Sequence, residues 1–243
     1  MILQIQMSGA SHVGRVRKMN QDSLLFDEAM GFCLVADGIG GKPGGEIASK
    51  IAVDTVSQGI WSSLSIKYSD VPAFMLEQVY KANLKILDYG TFHANYCGLG
   101  TTLDFAYFVG ESLNFVHVGD SRVYVYYQNH FFQLTIDHNI ENFAHRGLVQ
   151  RRHDFIKKNG TKLTKGLGLT DDLEPDFFQK NIYPGEIYLL ASDGLFDMVE
   201  DSYIKQVISQ NIENLGRIPT QLISSANKNG GKDNISVVVC GIG

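Results

Sequence analysis

Four carboxylates at the ends of apolar runs limit what this chain can fold into. Phe32 to Ala36 is a short apolar run that stops on Asp37, with Gly38-Ile39-Gly40-Gly41 behind it. Ile187 to Ala191 runs into Ser192-Asp193-Gly194, and Leu113 to Val118 runs into Gly119-Asp120-Ser121-Arg122. Asp233-Asn234 directly precedes the run Ile235 to Cys240. Short apolar runs bounded by turn residues are consistent with buried strands, and a strand end holds its last side chain rigidly. The recurrence predicts one carboxylate cluster at the rim of a sheet. Neighbouring carboxylates repel, so such a cluster calls for cations. Carboxylate and backbone oxygens are hard donors that suit magnesium or manganese. The glycines after Asp37 predict close backbone approach and positive φ, and leave the Gly38 carbonyl bare beside the carboxylate.

At 243 residues the chain can bury a substantial core. A hydrophobic content of 44% with 19% charged residues is globular composition and argues against disorder. The net charge of −5 argues against nucleic acid as the main partner. Cys33, Cys97 and Cys240 form no pattern, and two of them sit inside apolar runs, so buried thiols in a reducing compartment are expected. No apolar run nears the ~18 residues that span a bilayer, and Met1-Ile2-Leu3-Gln4 lacks the features of a signal peptide. The expectation is a cytoplasmic protein without membrane partners.

Periodicity predicts strands at Ile2 to Met7, Ser23 to Asp27 and Gly31 to Ala36, with a polar loop over Ser8 to Arg17. Helices are predicted over Gly44 to Leu64, with Ile47, Ile51, Val56, Ile60 and Trp61 on the buried face, and from Pro72 to about Thr91. Thr101 to Val109, Leu113 to Val118, Val123 to Tyr127 and Phe131 to Thr135 read as four consecutive strands on short links, hence antiparallel. Asn139 to Lys165 is polar and helical in part. Glu174 to Ile182 and Ile187 to Ala191 return to strand. Tyr203 to Ile212 and Pro219 to Asn227 read as helices, and Ile235 to Cys240 as the final strand. This order predicts an α+β fold, two stacked antiparallel sheets flanked by helices on both sides, in a single domain over residues 1–243.

Several segments together resemble the metal-dependent protein Ser/Thr phosphatases, the protein phosphatase 2C family, in its compact bacterial form. They are Gly14-Arg15-Val16-Arg17-Lys18-Met19-Asn20-Gln21-Asp22, Asp37-Gly38-Ile39-Gly40-Gly41 and Gly44-Gly45-Glu46-Ile47-Ala48-Ser49. Gly100-Thr101-Thr102, Val118-Gly119-Asp120-Ser121-Arg122 and Leu134-Thr135-Ile136-Asp137-His138 continue the series. Ser192-Asp193-Gly194-Leu195 and Asp233-Asn234-Ile235-Ser236 complete it in the family's order. The resemblance implies a β-sandwich with a two-metal site for Mg²⁺ or Mn²⁺. There a water or hydroxide held between the ions hydrolyses phosphoserine and phosphothreonine on proteins. It implies that Asp37 bridges both ions, that Asp193 and Asp233 complete the first, and that the Gly38 carbonyl serves the second. Asp120 with Asp193 corresponds to a weaker third position, and Arg17 to the arginine that holds the phosphate. Gln21, Asp22 and Asn234 fall just outside the ligands. Phosphorylated proteins, with a Ser/Thr kinase and its targets, are the implied partners.

Two positions depart from the family pattern. Gln21 stands where many members carry Glu, which predicts a tuned second metal. Ile39 stands where eukaryotic members often carry a His that protonates the leaving group; an apolar side chain cannot, and a metal-bound water is the expected acid. Other phosphatase chemistries fit poorly. No cysteine begins a phosphate-cradling loop ending in Arg, and Gly38 to Gly45 has neither Walker spacing nor the dinucleotide fingerprint. A two-metal nuclease shares the metal chemistry and is opposed by the acidic net charge and the resemblance. A silent phosphoprotein-binding module would be expected to lose the aspartates, which are present. His117 reads as a hydrogen-bonded sheet residue, and for His138 a capping role weighs no less than catalysis. Arg146, Arg151, Arg152, Lys157, Lys158, Lys162 and Lys165 make the segment 146–165 basic: either a solvated face or a substrate flap favouring acidic phosphoproteins.

Overall fold

Strands that are apolar on both faces require cover on both, which two stacked sheets with outer helices provide. In β3 (Phe32–Asp37), Phe32, Leu34 and Ala36 face one way and Cys33 and Val35 the other, and all five are buried. A computed structural model of the chain describes residues 4–40, 44–63, 70–145 and 159–243. One sheet runs in the order β1 (Ile5–His12), β10 (Ile235–Ile242), β9 (Ile187–Ala191), β6 (Arg122–Tyr127), β7 (His130–Gln133). The other runs β2 (Asp22–Asp27), β3, β4 (Leu103–Val109), β5 (Ser112–Val118), β8 (Asp176–Asn181), and all pairings are antiparallel.

Helices α1 (Gly45–Ser62) and α2 (Val71–Phe92) cover the second sheet, burying Val56, Ile60, Met75, Val79 and Ile86 against Phe32, Leu34 and Phe105. Helix α3 (Ile140–His145) lies in the link before β8. Helices α4 (Asp193–Phe196), α5 (Asp201–Gln210) and α6 (Ile218–Lys228) cover the first sheet, where Ile204, Val207, Leu222 and Ala226 pack on Leu189, Val237 and Val239. Between the sheets a third cluster joins Val35 and Phe115 to Tyr188, Leu190 and Val238. The expected four layers, helix, sheet, sheet, helix, are what forms.

Cys33 and Cys240 face each other across this inner cluster, Sγ to Sγ at 3.4 Å, as free buried thiols, while Cys97 is exposed. No helix among the described residues is long and apolar enough to cross a membrane.

Some sequence expectations need correcting. The first strand extends to His12, through residues expected to form a loop, because its partner β10 is long and buried and pairs with it over the full register Ile5↔Ile242 to His12↔Ile235. β5 and β6 are consecutive but do not pair; Gly119 to Ser121 carries the chain from one sheet to the other. Trp61 is not in the buried face of α1 but 48% exposed, with Nε1 donating to Asp27 Oδ2 at 2.8 Å. Gly38 and Gly40 are absent from the positive-φ region, which in this stretch Gly44 occupies (φ 100°). Gly38 is glycine for want of space: a Cβ there would lie 2.3 Å from the Gly45 carbonyl oxygen. Of the basic segment, residues 146–158 lie outside the described residues.

Candidate active site

The strand ends bring the four aspartates to one place. Asp37, Asp120, Asp193 and Asp233 line a single cavity of about 720 Å³, together with Arg17, Gln21, Gly38 and Ile39. Thr102, Lys162, Leu163 and Leu169 complete much of its wall.

Each carboxylate is held by local backbone. Asp37 ends β3, where its N–H donates to Thr102 Oγ1 (2.9 Å) and its carbonyl accepts from Thr101 Oγ1 (2.8 Å) and the Thr102 N–H (2.8 Å). Thr102 Oγ1 also lies 2.7 Å from Ser121 Oγ, tying the Asp37 and Asp120 segments together. Asp193 opens α4 directly after β9, and Gly194 behind it packs so closely that a Cβ would sit 2.0 Å from the Asn234 carbonyl oxygen. Asp233 precedes β10, and its Oδ1 accepts the Asn234 N–H at 2.8 Å.

The residues expected just outside the ligands act as struts. Asn234 Nδ2 donates to the carbonyls of Val13 (2.9 Å) and Met19 (3.0 Å), and its Oδ1 accepts the Gln21 N–H (2.8 Å), which fixes the loop that carries Arg17. Asp22 pairs with Asp37 across β2 and β3 and accepts from Ser192 Oγ at 2.8 Å, while its Oδ1 is buried without a partner.

Electrostatics follow from this crowding. Burial, and then Asp22, Asp193, Asp120 and Asp233, push Asp37 well above the usual carboxylate range. Burial and then Asp193 raise Asp120 to about 7, and burial and then Asp233 raise Asp193 to about 6. Burial carries Asp22 to about 7 against the pull of two serine hydroxyls. The donors are all hard oxygens, and their mutual repulsion would be relieved by divalent cations, so the set fits magnesium or manganese. As placed, no three His, Cys, Asp or Glu side chains among the described residues converge closely enough to enclose an ion. Arg17 Nη2 donates to Asp233 Oδ2 at 2.6 Å, so the expected phosphate ligand holds an expected metal ligand. That hydrogen bond also raises the Arg17 pKa.

Lys162 of the basic segment, named in the sequence reading for its charge, lies in the cavity wall beside Thr161 and Leu163. One feature escaped that reading. Glu46, in the first turn of α1, accepts from Gln21 Nε2 at 3.0 Å, placing a carboxylate beside the position where the family pattern has Glu. Its only signal was an acid close behind Gly44-Gly45. Gln21→Glu would set two carboxylates in contact. It should lower the Mn²⁺ concentration giving half-maximal activity by roughly 2- to 10-fold, ~0.4–1.4 kcal/mol. It should also lower the melting temperature in EDTA by about 2–4 °C, and Glu46→Gln in the same chain should restore it. If metal titration and melting both stay at parental values, the pair has no influence on the site.

A family model for protein phosphatase 2C matches residues 8–227. The protein phosphatase PhpP of Streptococcus pneumoniae is 30% identical over 240 residues, covering 97% of this chain and 96% of that one. The serine/threonine phosphatase stp of Listeria monocytogenes is 29% identical over 233 residues, covering 93% and 91%. Among solved structures, the serine/threonine phosphatase PstP/Ppp of Mycobacterium tuberculosis superposes with a TM-score of 0.86 at 28% identity over 99% of both chains. The catalytic domain of PstP in complex with two manganese ions gives a TM-score of 0.84, again at 28% identity and 99% of both chains. With this match, this cavity and this layered sandwich, the chain belongs to the protein phosphatase 2C family.

Proposed function

We propose that the cavity hydrolyses phosphoserine and phosphothreonine monoesters on proteins, with two Mg²⁺ or Mn²⁺ ions held by Asp37, Asp193, Asp233 and the Gly38 carbonyl. The observation that carries the reading is the gathering of four aspartates in one cavity, where desolvation and mutual repulsion raise Asp37, Asp120 and Asp193 and divalent cations would relieve the crowding. The two manganese ions of PstP support the same metal count. Bound there, such ions activate water for attack on phosphorus and screen the charge of the phosphate.

The chain's own residues do the rest. Asp37, on which the charges of Asp22, Asp193, Asp120 and Asp233 all act, would serve both ions; Asp193 and Asp233 would complete one, and Asp120 with Asp193 would offer a weaker third position. Arg17, released from Asp233, presents a fork of donors that matches phosphate oxygens. Ile39, Leu163 and Leu169 give the cavity an apolar side. Ile39 brings no proton, so the leaving oxygen draws on water. Phosphorylated proteins are the substrates, with a Ser/Thr kinase and its targets as partners in the cytoplasm, and residues 1–243 act as one phosphatase domain.

Release of phosphate from a phosphothreonine peptide and from p-nitrophenyl phosphate tests the reading. Activity should vanish in EDTA and return with Mn²⁺ or Mg²⁺. Full activity in excess chelator, with metal content verified as nil, sinks the two-metal reading. Binding of the phosphopeptide without turnover at any metal concentration would favour the silent module.

A further inference from the structure

The peptide link that carries Asp120 is clamped by a side chain from the next loop. The Gly119 N–H donates to His138 Nδ1 at 3.0 Å, and the His138 N–H returns to the Gly119 carbonyl at 2.7 Å. Gly119 holds φ +120°, and a Cβ there would lie 2.5 Å from Thr102, so this link has little freedom. Asp120 is the next residue, where the chain leaves β5 for the opposite sheet.

His138 also anchors the other wall of the cavity. Its carbonyl accepts the Thr164 N–H at 2.8 Å, and beside it Ile140 N–H donates to the Lys162 carbonyl at 3.0 Å while Asn139 bridges to Leu163. Lys162 and Leu163 line the cavity. The ring itself is 5% exposed and lies on His117, centroids 4.7 Å apart. His117 is fixed in turn by Asp104 Oδ1 at 2.7 Å from its Nδ1. His138 Nε2 lies 3.2 Å from Asp176 Oδ2, out of alignment for a hydrogen bond. Because Gly119 N–H can only donate, Nδ1 must carry the lone pair, so the ring is neutral with its proton on Nε2. Burial and then His117 press the ring down to about 4, which keeps it in that form at neutral pH.

We propose that His138 is a positioning residue: through its Nδ1 acceptor and its backbone it sets the Asp120 loop against the Lys162–Leu163 wall, and so governs the weaker cation position that Asp120 offers. The proposal rests on the reading of Asp120 as a cation ligand. A leucine at 138 removes the acceptor, whereas asparagine keeps an acceptor at the same bond distance from Cβ.

Titration of the full chain with Mn²⁺ by calorimetry, alongside kcat and KM on a phosphothreonine peptide, tests it. In His138→Leu the weakest Mn²⁺ binding should loosen about tenfold, the loss of roughly one hydrogen bond, with tighter binding unchanged and kcat falling more than KM rises. His138→Asn should recover affinity to within about 3-fold of the parent. Asp120→Asn is the control and should abolish the weakest binding. Parental affinity in His138→Leu beside its loss in Asp120→Asn overturns the proposal, as does equal weakening in His138→Leu and His138→Asn. If Asp120→Asn changes nothing, the assignment of Asp120 falls first and the proposal with it. Should His138→Leu fail to fold, His138→Gln, whose acceptor lies one bond further out, takes its place with the same expected weakening, and parental affinity again overturns the proposal.

Discussion

Asp193→Asn should lower kcat on a phosphothreonine peptide by more than ~10³-fold, and raising the substrate concentration should not recover it. Asp193 is fixed where β9 turns into α4, half-buried, and electrostatically coupled to Asp37 and Asp233. Removing its charge removes a ligand shared by two assigned cation positions, each worth several kcal/mol to a developing transition state. Arg17→Ala should behave differently. A lost charged hydrogen bond is worth ~1.5–3 kcal/mol, roughly 10- to 150-fold in kcat/KM, and here it should appear chiefly as raised KM. Since Arg17 holds Asp233 at 2.6 Å, its removal also frees the carboxylate proposed as a metal ligand, and Mn²⁺ should bind Arg17→Ala at least as tightly as the parent. Neither side chain belongs to the apolar clusters, so Arg17→Ala should melt near the parent in EDTA, while Asp193→Asn, which loses a repelling charge, should melt near it at pH 5 and above it at pH 8. Asp193→Asn within about tenfold of parental kcat would remove Asp193 from the metal site. Arg17→Ala that keeps parental KM and loses only kcat would remove Arg17 from the ground-state phosphate site.

What the sequence made legible was strand polarity and its chemical consequence. Asp37, Asp193 and Asp233 stand at the boundaries of apolar runs, and a boundary of that kind survives errors of a residue or two in strand length. So the cluster could be placed before the strands were. The helices were also readable, because Val56, Ile60, Met75 and Val79 recur at helical spacing. The failures share a cause. The second half of β1 looked like a loop because Ser8, Gly9 and Ser11 have poor strand propensity, yet β10 supplies a full ladder of partners, and Gly9 leaves room for Phe26, whose ring a Cβ would meet at 2.9 Å. The passage from β5 to β6 looked like a hairpin because link length alone does not say which sheet receives the next strand. Glu46 beside Gln21 and His138 beneath Gly119 are contacts across 25 and 19 residues, set by packing that no local pattern encodes.

The same carboxylate crowding makes stability depend on pH with a sign opposite to that of an ordinary salt-bridged acid. In the folded chain without divalent cations, Asp22 and Asp120 titrate at about 7 and Asp193 at about 6, and Asp37 lies well above the usual range. In the unfolded chain all four return to an ordinary value near 3.9. The folded state therefore binds more protons than the unfolded one between those values, and stability falls as pH rises through that window. One carboxyl at about 7 loses roughly 2–3 kcal/mol of stability between pH 5 and pH 8. Protonating one carboxyl eases the rest, so the total is less than the sum. At ~2–4 °C per kcal/mol, the melting temperature in EDTA should be at least about 5 °C higher at pH 5 than at pH 8. Saturating Mn²⁺ at pH 8 should abolish that deficit, because the cations replace the protons as counter-charge and bind only the folded cluster. Asp120→Asn removes one repelling charge, so in EDTA it should melt higher than the parent at pH 8 and close to it at pH 5. A melting temperature in EDTA that is flat or rises from pH 5 to pH 8 would mean that the four carboxylates do not share one desolvated site.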